Sequence, residues 1–217
     1  MPSRSGRSRR GLSPVKIALF LVCLLPLVRL IVLGMRGGLG ANPIEFITHS
    51  TGTWALVGLL LTLSITPLRR LTGWTFLLRH RRMLGLFAFF YASLHLMTYL
   101  WLDQFFDLEG IVRDVVKRPF VTAGFAGFVL LVPLALTSTQ TMMRRLGRHW
   151  QQLHRLIYVA AGLGVLHYVW LVKRDLTQPL IYGGLLGVLL FFRLPLGVSV
   201  LETLRRSLGR LASERVP

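Results

Sequence analysis

Between residues 17 and 198 the chain is divided into six apolar runs, at residues 17–35, 53–68, 84–102, 121–136, 156–172 and 180–198. Coiled into a helix, each is about long enough to cross roughly 30 Å of hydrocarbon. The polar pieces between them are too short to build a separate soluble core. A composition 53% hydrophobic and only 16% charged agrees with that. The expected fold is an all-α membrane protein of six transmembrane helices (residues 17–198), with a basic N-terminal segment (1–16) and a basic tail (199–217).

The net charge of +18 would fit a nucleic-acid binder, but the positions of the cations assign them to a membrane. With the N-terminus in the cytoplasm, eighteen Lys and Arg fall on the inner side against six outside, while Arg29 and Arg193 lie within runs one and six. Six of the eight acids fall outside. This is the asymmetry of the positive-inside rule, and both termini are therefore expected in the cytoplasm. Trp54, Trp101 and Trp170 lie at expected outer boundaries and Trp74 and Trp150 at inner ones, where an indole is favoured. Nucleic acid is excluded as a partner and membrane lipid is implied.

The stretch SRRGLS from Ser8 looks a little like a twin-arginine export signal, but five further spans follow and no small-residue cleavage site stands after Gly40. It is expected to hold the inner end of the first helix. Cys23 is the single cysteine, which excludes a disulfide, a cysteine-ligated cluster and a covalently attached c-type haem.

Ionisable groups inside membrane helices are costly unless used, which makes the histidines the first functional suspects. His95 comes about twelve residues after the inner edge of the third run, and His167 thirteen residues after His154 at the inner end of the fifth. At ~1.5 Å per residue both rise about 18–20 Å above the inner boundary. Two imidazoles at one depth on two helices running the same way can approach an iron from opposite sides, with an apolar four-helix core around the porphyrin. A bis-histidine haem b between His95 and His167 follows.

His154 is placed to serve a second, inner haem whose other ligand is open. On one regular helix the step from His154 to His167 falls about 140° short of a whole number of turns, so one face does not hold both. A bend at Gly162 or Gly164 would reconcile them; otherwise two haems occupy different clefts. His80 is a weak candidate for the opposite inner ligand, because it and His149 sit among arginines where a solvated imidazole is expected. His49 and Arg29 lie near the outer level, where Arg29 would pair with a haem propionate or extend to the headgroups.

No loop has room for a nucleotide fold and no G-x-G-x-x-G follows a strand, so electrons must arrive from quinol or from a separate flavoprotein. The longest outer loop, residues 103–119, is too small for a catalytic domain but mixes acids, bases and phenylalanines as a docking surface would. Two rival classes remain: a histidine-containing transporter without haem, against which no internal repeat is detectable, and a passive anchor.

The stretches GGLGANPIEFITHSTGTWAL from Gly37, RRMLGL from Arg81, SLHLMTYLW from Ser93, LTSTQTMMRRLGRHWQQLHRLIY from Leu136 and LHYVW from Leu166 cover most of the chain. Together they resemble the haem-binding membrane subunit of the bacterial periplasmic protein-methionine-sulfoxide reductase system, the MsrQ/YedZ type, which is similar to ferric reductase and NADPH oxidase membrane domains. The resemblance makes His95, His154 and His167 the haem ligands and leaves out His80. It further implies the bacterial inner membrane, FMN beside haem b, and electron delivery to a periplasmic molybdopterin-containing catalytic subunit that repairs oxidised methionines. A ferric reductase-like cytochrome with another acceptor is the nearest alternative.

Overall fold

The computed structural model describes residues 13–172 and 174–213, with side chains up to residue 207. Most of the basic N-terminal segment, the twin-arginine-like stretch included, Lys173 and the last four residues lie outside the described residues. The elements are α1 (Pro14–Met35), α2 (Pro43–Thr72), α3 (Leu77–Met97) prolonged by a π-helical stretch (Thr98–Asp103), α4 (Leu108–Lys117), α5 (Pro119–Leu136), α6 (Gln140–Leu146), α7 (Arg148–Leu153), α8 (Leu156–Leu171), α9 (Thr177–Phe191) and α10 (Pro195–Ser213). Among the described residues there is no strand.

Proline at the first helical position opens α1, α2, α5 and α10, where the missing N–H has no partner to lose. Asn42 caps α2 by accepting from the Glu45 backbone N–H at 3.2 Å, and Gly73 in the left-handed conformation (φ 77°) ends it.

The core is shared by α2, α3, α5, α8 and α9, through Leu56, Leu59, Leu60 and Leu63, Ala88, Leu131 and Leu134, Ile157, Ala160 and Ala161, and Leu186. Small residues set the helix spacing: a Cβ on Gly58 would lie 3.0 Å from the Cα of Ala88. Between apolar surfaces in lipid such close approach is the main source of helix association.

Four helices are long and apolar enough to cross a membrane, namely α1, α2, α3 with its π extension, and α5, which makes this a multi-pass membrane protein. The fifth run is the shorter α8, of 16 residues. The sixth departs from the expected straight crossing: α9 stops at Phe191 and α10 leaves it at 85°. Pro195 restarts the chain, and a Cβ on Gly197 would lie 2.8 Å from Phe192 Cα and closer still to the Phe191 carbonyl, so only glycine fits this corner.

Arg193 explains why the corner turns inward. Pro67 in α2 has no N–H to offer Leu63, four residues earlier, and Arg193 Nη2 donates to that freed carbonyl at 2.7 Å. Its Nη1 donates to the Tyr158 hydroxyl at 2.7 Å, with the guanidinium 4.9 Å from the centre of that ring. Arg70 Nη1 donates to the Phe192 carbonyl at 3.3 Å and ties the corner to α2.

Beside Pro26 of α1 the Tyr91 hydroxyl from α3 meets the backbone, donating to Cys23 O at 2.7 Å and accepting from Leu27 N–H at 3.3 Å. Apart from this contact α1 is peripheral, with only Pro26 and Leu30 buried. Tyr91→Phe is expected to cost about 1–2 kcal/mol by removing both hydrogen bonds between α3 and α1 and to loosen α1. Thiol labelling of Cys23 in detergent checks this, since the variant should react faster than wild type and an equal rate would contradict it.

Candidate functional site: two clamped imidazoles

His95 lies one turn from the end of α3 and His167 one turn from the end of α8, and the fold brings their rings together with centroids 5.9 Å apart and planes at 76°. The two imidazoles that residue spacing put at one level are thus neighbours in the fold. Two metal–imidazole bonds of about 2 Å, with the distance from each nitrogen to its ring centre added, require a separation of roughly 6 Å.

Each ring is held by the same device. His95 Nδ1 donates to the Thr48 carbonyl of α2 at 2.9 Å, and His167 Nδ1 donates to the Phe120 carbonyl of α5 at 2.6 Å. Because a carbonyl can only accept, the proton sits on Nδ1 in both, and each Nε2 keeps its lone pair. Among the described residues neither Nε2 makes a hydrogen bond. This is how an imidazole is prepared for a metal: the second nitrogen is anchored while the first stays open.

A carbonyl already bonded within its own helix can be reached only if the residue four positions on leaves room, and in both cases that residue is glycine. A Cβ on Gly52 would lie 3.0 Å from His95 Nδ1 and Cε1, and one on Gly124 would lie 2.8 Å from His167 Nδ1. Residue spacing did not single out Gly52 or Gly124. The available signal was a small-residue triplet ending in glycine in each of two helices, STG at 50–52 and TAG at 122–124. No repeat is visible along the chain, yet α2 with α3 and α5 with α8 repeat one construction.

Neighbouring groups hold the device in place. Thr98, the first residue of the π stretch, donates its hydroxyl to the His95 carbonyl at 2.7 Å and meets the Thr48 hydroxyl at 3.3 Å. On the His167 side, Asp114 of α4 receives Gln104 Nε2 at 3.2 Å, the Tyr99 hydroxyl at 3.3 Å and Arg118 Nε at 3.2 Å. The Thr122 hydroxyl donates to the Val115 carbonyl. These contacts tie α4 to the first turn of α5, where the Phe120 carbonyl sits.

The inner candidates are arranged differently. The expected regular helix from His154 to His167 is not present: His154 caps α7, the chain turns at Arg155, and α8 begins at Leu156. The His154 ring stacks on the Trp150 indole, centroids 3.8 Å apart, with Nδ1 donating to the Trp150 carbonyl at 3.1 Å and Nε2 3.5 Å from the Ser138 hydroxyl. His80 was expected to be solvated, but it is buried in α3 with Nδ1 lacking a partner and its nearest ring Phe76, centroids 6.4 Å apart. α3 begins at Leu77 and so carries His80 inside the bundle. Among the described residues His80 and His154 do not form a second facing pair. His149 is exposed.

Arg29 and His49 line a groove of about 660 Å³ on the α1 side of α2, together with Glu45, Phe46, Trp54 and Tyr182. Among the described residues no three His, Cys, Asp or Glu converge as a site for a bare metal ion. The pair of His95 and His167 offers two imidazole nitrogens as donors.

Comparison with known proteins assigns the family. Residues 51–165 match the ferric reductase like transmembrane component. Proteins named protein-methionine-sulfoxide reductase heme-binding subunit MsrQ are similar over most of their length. That of Herminiimonas arsenicoxydans is 57% identical, covering 84% of this chain and 85% of its own. That of Rhodospirillum rubrum is 55% identical, covering 91% and 93%, and that of Ralstonia nicotianae 54%, covering 85% and 86%. The chain belongs to the MsrQ family. No solved structure matches it. In this MsrQ-family chain the matched segment begins at Thr51, beside Gly52, and runs through Gly124 and His154 to Val165, two residues before His167.

Gly124→Ala is expected to cost about 1–3 kcal/mol through overpacking against His167. Gly184→Ala, where nothing lies within 4 Å of the added methyl, should be neutral. Thermal unfolding in detergent followed by circular dichroism checks the contrast, and equal midpoints for the two variants would refute it.

Proposed function

We propose that this chain is the transmembrane electron-transfer subunit of a bacterial protein-methionine-sulfoxide reductase system. It holds haem b between His95 and His167 and passes electrons to a periplasmic molybdopterin-containing catalytic subunit that repairs oxidised methionines. The single observation that carries this is the facing pair of imidazoles, each with Nδ1 fixed on a carbonyl and Nε2 free.

Haem, when bound, supplies an iron that changes oxidation state by one electron without making or breaking bonds in the protein. The residues of the chain do the rest. Thr48 and Phe120 orient the rings and make Nε2 more basic through the Nδ1 hydrogen bond. Gly52 and Gly124 allow that bond to form. The apolar walls of the bundle keep water from the centre.

The fuller proposal has six crossings, with α8 and α9 completing those of α1, α2, α3 and α5, and both termini in the cytoplasm of a bacterium whose inner membrane holds the chain. Its support is the eighteen-to-six division of Lys and Arg. Whether the chain holds one haem or two turns on His154, whose fixed Nδ1 suits it to serve as an inner ligand; His80 is the weaker candidate opposite it. Quinol or a cytoplasmic flavin reductase is the donor. FMN belongs to the proposal through family resemblance alone, and no residue is assigned to it.

A ferric reductase-like cytochrome with another acceptor is the second reading, favoured by the match over residues 51–165. Reoxidation of the dithionite-reduced protein by its catalytic subunit plus methionine sulfoxide, and not by ferric chelates, would decide for the first.

His95→Ala and His167→Ala are each expected to remove the outer haem's contribution to the b-type reduced-minus-oxidised spectrum of the purified chain while leaving it inserted. Full haem content in either variant would refute the pairing. With imidazole planes 76° apart, the ferric protein is also expected to give a strongly anisotropic low-spin electron paramagnetic resonance signal. The rhombic signal of parallel imidazoles would count against the geometry.

A further inference from the structure

We infer that the groove between α1, α2 and α9 is a quinol-oxidation site that feeds the outer haem directly across α2. This rests on the haem reading above and adds to it where the donor binds and on which side of the membrane it reacts.

The groove has the size of a small-molecule site, about 660 Å³. Its lining combines Arg29 from α1, Glu45, Phe46, His49 and Trp54 from α2, and Tyr182 from α9. A hydroquinone is a flat aromatic ring with a hydroxyl at each end. It needs apolar faces to lie against, a proton acceptor for each hydroxyl, and a polar donor that holds the oxidised oxygen. Phe46 and Trp54 supply the faces, the His49 imidazole and the Glu45 carboxylate the acceptors, and Arg29 the donor. Glu45 is oriented for this, since its Oε2 accepts from Asn42 Nδ2 at 2.9 Å.

Charge separates this ligand from the two other occupants of such a place. A lipid phosphate or a haem propionate is an anion, and Glu45 within the same lining opposes it. Among the described residues Arg29 has no carboxylate within ion-pair distance, which leaves its guanidinium free for a neutral oxygen acceptor. Access is from the lipid, because α1 is anchored mainly through Tyr91 and buries only Pro26 and Leu30.

The groove and the imidazole pair share one turn of α2. Thr48 turns its carbonyl to His95, and His49, the next residue, lines the groove. The wall between them is a single helix, about 10 Å across. Each quinol breaks two O–H bonds and becomes quinone. Its two electrons would be taken one at a time by the one-electron centre that His95 and His167 would hold, which the catalytic subunit would reoxidise between the two transfers, and its two protons go to His49 and Glu45 and from there to water at the end of the bundle that carries the α1–α2 turn. Electrons taken up here need not cross the membrane, so the inner histidine is not required on this route.

The test uses the full-length, haem-loaded chain in lipid nanodiscs, mixed anaerobically with decylubiquinol while the reduced haem band is followed. Arg29→Gln, His49→Gln and Trp54→Ala are each expected to slow reduction by about tenfold or more, the effect of losing one good polar or stacking contact. Haem content and the dithionite-reduced spectrum should stay unchanged, and Arg36→Gln, outside the groove, should reduce at the wild-type rate. Wild-type rates in all three variants overturn the assignment. Loss of haem from Arg29→Gln or His49→Gln assigns the groove to propionates and overturns it as well.

A second arm needs no haem: photolabelling with an azidoquinone, followed by peptide mass spectrometry, should mark the groove lining, that is residues 42–57, Arg29, Leu39 or Tyr182. A label found elsewhere, or one displaced by excess phospholipid alone, sinks the proposal. A chain that takes up no haem would refute the proposed function while leaving this arm to judge the groove.

Discussion

The arrangement depends on two backbone carbonyls that accept from imidazoles while remaining part of their own helices. A helix carbonyl is ordinarily shielded by the side chain one turn on. At Gly52 and Gly124 that shield is missing, and His95 and His167 approach until Nδ1 lies 2.9 Å from Thr48 O and 2.6 Å from Phe120 O. The contact fixes ring orientation and tautomer together, and it also fixes the spacing of α2 from α3 and of α5 from α8. The tight packing below it, such as Gly58 against Ala88, continues the same approach of helix axes. Structure and site therefore have one origin, because the helices are close where the imidazoles need a carbonyl.

Backbone satisfaction in a medium without water also accounts for features that do not touch the site. Pro67 breaks the ladder of α2 within the apolar region, and the carbonyl it frees is met by Arg193 from the α9–α10 corner, while Tyr91 of α3 bonds Cys23 O and Leu27 N–H beside Pro26 in α1. Arg193 had no role as one more cation in an apolar run. In the fold it closes the corner between α9 and α10, and no carboxylate is needed because a carbonyl, a hydroxyl and an aromatic face share its charge. In hydrocarbon a missing backbone partner costs several kcal/mol, enough to decide where an arginine goes.

What was legible in advance follows from how far each signal reaches along the chain. Hydrophobic runs and the sidedness of Lys and Arg are properties of segments, and the multi-pass helical architecture followed from them. The pairing of His95 with His167 was expected from a constant rise per residue, and the fold brings the two rings together although the chain turns between His154 and α8. The interruption at His154 and Arg155, the burial of His80 and the corner at Arg193 were not legible. Each depends on what a different helix offers at that height, and a periodicity argument assumes that the helix continues. Gly52 and Gly124 were equally silent, since a glycine in a membrane helix most often serves only packing.

The amino-acid order by itself determined that the chain crosses a membrane several times, which end of each run carries the cations, and that two imidazoles reach the same depth. Those are consequences of hydrophobicity, charge and helix rise, all of which act locally. Only the tertiary structure decided that the two rings lie 5.9 Å apart with each Nδ1 on a backbone carbonyl, that His154 stacks on an indole, and that Arg29, Glu45 and His49 converge on one groove. Those facts depend on the rotation and spacing of helices far apart in the chain. They are set by steric fit at a few small residues and by the demand that every freed carbonyl find a donor.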